Sequence, residues 1–223
     1  MNLNKHQEFF NPNGVKEEIH IIGCGAIGST IAEMLTRLGF ASLHLYDFDT
    51  VSDHNITNQM FRMKDIGALK VDALSEILKD INPDIRIECH PEGWNEYSRL
   101  TGIVFLAVDS IDLRRQIATE LQYNKDIVYM TDCRMALTDA QCYAADWANP
   151  ESIKRFIDTM QFTSEEAQAA TPVSACGTTL SVTPTVRTIV SLCVANLINF
   201  YKRSEHFKTL LIADAFAMNI ISF

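Results

Sequence analysis

Residues Gly23-Cys24-Gly25-Ala26-Ile27-Gly28 set three glycines at the spacing G-x-G-x-x-G. They follow an apolar, β-branched stretch, Glu18 to Gly23, and open a segment, Ala26 to Leu38, in which Ile27, Ile31, Met34, Leu35 and Leu38 recur at helical spacing. At such a strand-to-helix turn the first glycine permits the tight bend and the second lets backbone approach a phosphate. The third lets the helix close on the strand, and the helix's free N–H groups favour an anion. The pattern reads as a nucleotide site; a glycine turn kept for packing is the plainer alternative. Asp47 ends the next strand, Ser42 to Tyr46, where an acid reaches the ribose hydroxyls of a nucleotide seated on the glycine turn. Up to this point an NAD-type oxidoreductase fits as well as an ATP-binding protein.

The downstream residues separate the two. Asp47-Phe48-Asp49-Thr50-Val51 is followed by Asn55-Ile56-Thr57-Asn58-Gln59, then Asp65-Ile66-Gly67 and Lys70. This series resembles the ThiF/MoeB/HesA family and the related ubiquitin-activating enzymes, which show D-x-D-x-V, N-x-x-R-Q and D-[IV]-G-x-x-K in one loop and helix. The resemblance is specific from Glu18 to Arg114 and weaker to Phe200, and it is similar in particular to ThiF-type proteins of phages and mobile elements.

That resemblance implies ATP-dependent adenylation of the C-terminal carboxylate of a small ubiquitin-like or sulfur-carrier protein, or a peptide, ending in glycine. It implies ATP and Mg²⁺ as ligands, with Gly23, Gly25, Gly28, Asp47, Asp49, Asn55, Asn58, Gln59 and Lys70 around the nucleotide. Asn55 and Lys70 would meet the phosphates, Asp109 would hold Mg²⁺, and Arg114 would support the Asp109 loop. Cys176, in Thr171 to Gly177, falls where relatives carry a cysteine for thioester or persulfide chemistry. The set Lys70, Asp109 and Cys176 is then the catalytic expectation. Relatives are two-fold dimers, so a homodimer is expected.

Each residue has a plainer reading. Lys70 is also placed as a solvated helix lysine, Asp109 as the cap of a helix near Ile111, and Asn55 and Gln59 as groups satisfying loop backbone. One departure stands out: Asn58 replaces the family arginine, and an amide lacks the bidentate charge of a guanidinium. Lys5, Arg62 or Lys64 would have to substitute. Otherwise the chain is an ATP-binding interaction module with weak catalysis.

The elements that must position these groups alternate. Strands are expected at Glu18–Gly23, 42–46, 85–89, 103–108 and from 127, with helices at 26–38, 66–78 and 111–123. That order predicts a doubly wound, mostly parallel Rossmann-like α/β sheet with helices on both faces. Residues 136–223 add a strand at 140–145, a short helix at 150–160, a flexible crossing segment at 162–177, a long apolar helix at 178–200 interrupted by Pro184, and late strands at 208–214 and 218–223. A single domain over 1–223 is expected, its nucleotide-binding half being 1–135.

Composition narrows the partners. A net charge of −9 argues against nucleic acid, which needs a basic stripe. No long apolar run marks a membrane span, and the polar N-terminus lacks a signal-peptide layout, so a cytoplasmic protein is expected. The six cysteines form no C-x-x-C pair and read as scattered buried thiols, with no structural zinc expected. The histidines show no ligand spacing, and His20 and His44 read as satisfied strand residues.

Overall fold

The computed structural model describes residues 1–170 and 180–223. Its centre is an eight-stranded sheet in the order β3-β2-β1-β4-β5-β6-β7-β8. Strands β1 (Ile19–Ile22), β2 (Ser42–Tyr46), β3 (Arg86–His90), β4 (Gly102–Leu106) and β5 (Ile127–Met135) run parallel. Strands β6 (Asp139–Asp146), β7 (Leu210–Asp214) and β8 (Asn219–Ser222) extend the sheet antiparallel. β4 is buried at every position, as its uninterrupted apolar run requires of a strand covered on both faces.

Helices α1 (Ala26–Leu38), α2 (Lys70–Ile81) and α6 (Thr183–Tyr201) cover one face. Their apolar stripes meet Ile19, Ile21, Leu43, Leu45, Ile103 and Phe105, the residues that alternation sends to that side. Helices α3 (Ile111–Glu120) and α4 (Pro150–Asp158) cover the other face, against Ile22, Val104, Leu106 and Met130. Between β3 and β4 the chain has no helix, only a loop over 91–101, so the second face of β2 and β3 is incompletely covered.

Two helix starts shift, and one helix appears where none is expected. α2 begins at Lys70 rather than Ile66, because Gly67 adopts φ +89° in a turn and Thr50 bridges Leu69, which keeps 66–69 out of the helix. α6 begins at Thr183 rather than Thr178, and Pro184 lies in its first turn, where a missing N–H costs no intrahelical bond. Ser164–Ala170, within the expected flexible crossing segment, forms a short helix, α5.

Candidate functional site

The glycine turn divides its work among its three glycines. Gly23 has φ +97°, and a Cβ there would stand 2.7 Å from the carbonyl oxygen of Ala107. The turn therefore lies directly on the segment that leads to Asp109. A Cβ on Gly28 would fall 1.8 Å from the Gly23 oxygen, so the third glycine is what lets α1 close on β1. A Cβ on Gly25 would meet nothing within 4 Å. Gly25 is also the N-cap of α1, and no side chain caps the helix. Open space above uncapped helix amides is where a phosphate oxygen finds donors.

Asp47 closes one side of this space. Its Oδ2 accepts from Cys24 N at 2.7 Å and its Oδ1 from Asp49 N at 2.9 Å. Burial raises its pKa, and the two N–H donors and Lys70 oppose that rise. Lys70, the first residue of α2, is buried and donates from Nζ to Asp49 Oδ2 at 2.7 Å. Asp49 thus holds the lysine head beside Asp47, and the solvated reading of Lys70 is wrong. Cys24 is fully buried, and desolvation pushes its thiol pKa well up, which leaves it unreactive.

The loop after Asp49 is anchored by backbone satisfaction. Asn55 is buried and its Oδ1 accepts from Ser52 N at 2.9 Å. Met60 N donates to Ser29 Oγ at 3.2 Å, which draws the loop onto α1. Asn58 donates from Nδ2 to Ser181 Oγ at 2.8 Å, next to the start of α6. Gln59 carries a buried Oε1 with no hydrogen-bond partner among the described residues.

Of the three expected substitutes for the missing arginine, Arg62 and Lys5 are held away from this role. Arg62 is tied to Asp65 at 3.0 Å and to Asp80 at 3.0 Å. Lys64 is exposed. Lys5 belongs to a segment whose Leu3 packs on Gly39, at the opposite end of α1 from Gly25 and about 20 Å along its axis.

Asp109 lies exposed in the loop after β4, and its carboxylate makes no hydrogen bond among the described residues. It does not cap α3; Ser110 does, its side chain accepting from Leu113 N. Arg114 supports this loop from α3. Its Nε donates to Val108 O at 2.7 Å and its Nη2 reaches the same oxygen. Its Nη1 pairs with Asp132, which is completely buried and also accepts from Arg134 Nε at 2.7 Å. A charge-assisted network therefore fixes the backbone just before Asp109.

Cys176 lies outside the described residues. Of the other cysteines, Cys133, Cys142 and Cys193 are not scattered: their sulfurs converge from β5, β6 and α6 within 4.8 Å of one another. The expectation of no structural zinc missed this cluster, because its members are neighbours in the sheet and not in the chain. The thiols are closed to solvent, and three sulfurs so placed are a set that could ligate zinc.

The sequence profile of the ThiF family matches residues 15–223. The chain is 46% identical over 72 residues to ubiquitin-like modifier-activating enzyme 5 of Oryza sativa subsp. japonica, covering 32% of this chain and 17% of that protein. It is 36% identical over 120 residues to the enzyme of the same name from Drosophila pseudoobscura pseudoobscura, covering 51% and 29%. The chain spans less than a third of the length of these relatives. Among solved structures, E. coli MccB with ATP superposes with a TM-score of 0.70 at 15% identity, over 95% of this chain and 65% of that one. PaaA gives a TM-score of 0.69 at 16% identity, over 99% and 68%. At such identities the structures establish the shared fold. No helix among the described residues is long and apolar enough to cross a membrane.

Proposed function

The chain belongs to the ThiF family, and from that premise we propose that it binds ATP across the glycine turn and adenylates the C-terminal carboxylate of a small protein or peptide. The observation that carries this reading is the pairing of an open, uncapped helix start at Gly25 with the Asp47 carboxylate fixed on Cys24 N–H. The ribose hydroxyls would meet the remaining lone pairs of Asp47, and the phosphates would lie over the first turn of α1 toward Lys70. A substrate carboxylate oxygen attacks the α-phosphorus, the bond to the bridging oxygen breaks, and pyrophosphate leaves. Charge grows on the leaving phosphates, so a preplaced cation and fixed N–H donors lower the barrier.

The free Asp109 carboxylate beside the turn suits a hard divalent cation, since Mg²⁺ takes one or two carboxylates together with phosphate oxygens. Bound there, Mg²⁺ would supply charge neutralisation for the triphosphate. Arg114 keeps Asp109 in position by gripping Val108 O. The MccB structures include complexes with ATP and with MccA. Together with the modifier-activating relatives, they support a small protein or peptide as substrate here. A glycine-ended ubiquitin-like or sulfur-carrier protein and a homodimeric assembly belong to the same proposal, as does a later covalent step at Cys176.

The structure also favours a second reading at one point. With Asn58 bound to Ser181 and Arg62 neutralised by acids, neither takes the place of the family arginine, and the guanidinium nearby is that of Arg187, held on Thr30 Oγ1 of α1 and on Met60 Sδ. On that reading the chain holds ATP without turning it over. Exchange of labelled pyrophosphate into ATP, driven by a co-purifying carboxylate partner, separates the two. Adenylation predicts exchange that falls at least about 100-fold in Lys70→Ala and in Asp109→Ala. ATP binding with no exchange for any partner leaves the binding module, and preference for NADH over ATP would overturn both.

A further inference from the structure

The open face of β2 and β3 carries a set of side chains that the nucleotide site does not use. His20, His44 and His90 come from β1, β2 and β3, and the parallel register sets His20 beside His44, His44 beside Glu88 and Tyr46 beside His90. The rings of His20 and His44 stack at 4.4 Å, and those of Tyr46 and His90 at 4.1 Å. His44 Nδ1 faces His90 Nε2 at 3.3 Å. The Glu88 carboxylate lies 3.6 Å from each of these two nitrogens.

We propose that His44 Nδ1, His90 Nε2 and the Glu88 carboxylate form a binding site for a divalent transition-metal ion of the zinc class. Two imidazole nitrogens at about 2.0–2.1 Å from a tetrahedral ion stand roughly 3.3–3.4 Å apart. The observed separation of 3.3 Å already meets that requirement. A hydrogen bond between the two rings needs one shared proton; an ion takes the place of that proton and recruits Glu88 as well. Two imidazoles and one carboxylate suit zinc-class ions, and the ligand set leaves one position for water.

The surroundings hold these ligands in place. On the far side of the His90 ring, Nδ1 lies 3.7 Å from Glu92 Oε1, a carboxylate placed to orient a metal-bound imidazole. His20 is not a ligand, because both its nitrogens are occupied. Thr101 N donates to Nε2 at 3.3 Å, so the proton sits on Nδ1 and is given to Tyr46 Oη at 3.0 Å. It serves as a neutral plate against which His44 is fixed. Access is also provided for. His44 and His90 are 14% and 19% exposed and Glu88 is 65% exposed, because a loop replaces the helix that would otherwise cover this face. The cluster of three cysteines lacks such an entry. The site also neighbours the nucleotide turn, since Asp47 N donates to His90 O at 3.3 Å.

Calorimetry of the full chain with Zn²⁺ at neutral pH, after removal of metal by a chelator, tests this directly. One ion per chain is expected, with a rise of several degrees in Tm at saturating zinc. His90→Gln should abolish the site. Glu88→Gln, an exposed change that leaves packing alone, should weaken it at least about ten-fold. The Co²⁺ form should show the spectrum of a nitrogen–oxygen site without thiolate charge transfer. Zinc binding that is absent, that is unaltered in both variants, or that carries a thiolate signature would overturn the proposal. Each outcome is independent of whether the chain binds ATP.

Discussion

At the residue scale the three glycines are not interchangeable, and substitutions should separate folding from binding. Gly28→Ala places a methyl group in contact with the Gly23 carbonyl, where neither backbone can retreat. It should cost roughly 3 kcal/mol or more by urea denaturation. Gly25→Ala meets open space and should leave the denaturation midpoint unchanged while ATP affinity falls at least about ten-fold. Equal stability losses in the two variants would remove the argument for a phosphate above Gly25. His20 gives a pH signature. Burial pushes its pKa down to about 3, so the folded protein stays neutral there while the unfolded chain takes up a proton below about 6.5. Since the unfolded state binds the extra proton, stability falls as pH drops through that window. His20 should contribute a loss of roughly 2 kcal/mol between pH 6.5 and 5, read as the difference between the wild type and His20→Gln in a pH series.

At the element scale, local chemistry told where strands and helices begin only when the signal was itself local. The glycine turn, α1, β2 and β4 are legible from spacing and apolar runs; α1 and β2 keep their expected bounds, and β4 ends at Leu106 rather than Val108. The start of α2 is not legible, because a bridge between Thr50 and Leu69 outweighs the helical pattern from Ile66. Asp132 and Arg134 carry no local signal, since a buried ion network depends on strands meeting a helix from another part of the chain. That network should be costly to break. Asp132→Asn leaves the guanidinium groups of Arg114 and Arg134 without a buried counter-charge and should destabilise by about 3–5 kcal/mol. A change below 1 kcal/mol in a melting or denaturant titration would show that the network does not hold the Asp109 loop. The histidine and cysteine clusters were hidden for the same reason, as register and not spacing assembles them.

At the scale of the whole molecule, the parallel half of the sheet carries the glycine turn, Asp47, Lys70 and Asp109 at the carboxyl ends of its strands, where sheets of this kind bind ligands. The antiparallel half, β6 to β8, with α6, buttresses that site, and α6 also brings the Arg187 guanidinium to Thr30 of α1. Ser181 on Asn58 and Thr183 on the Thr57 carbonyl fasten the phosphate-side loop to the start of α6. The described residues of the candidate site are therefore tied together through α1, the loop over 50–69 and α6. The central claim for this site is tested most directly by titrating the purified chain with ATP and magnesium in a calorimeter, beside Asp47→Ala and Gly25→Ala. One ATP per chain in the micromolar range is predicted, weakened at least about ten-fold in both variants. No heat from the wild type, or the same affinity in all three proteins, would contradict it.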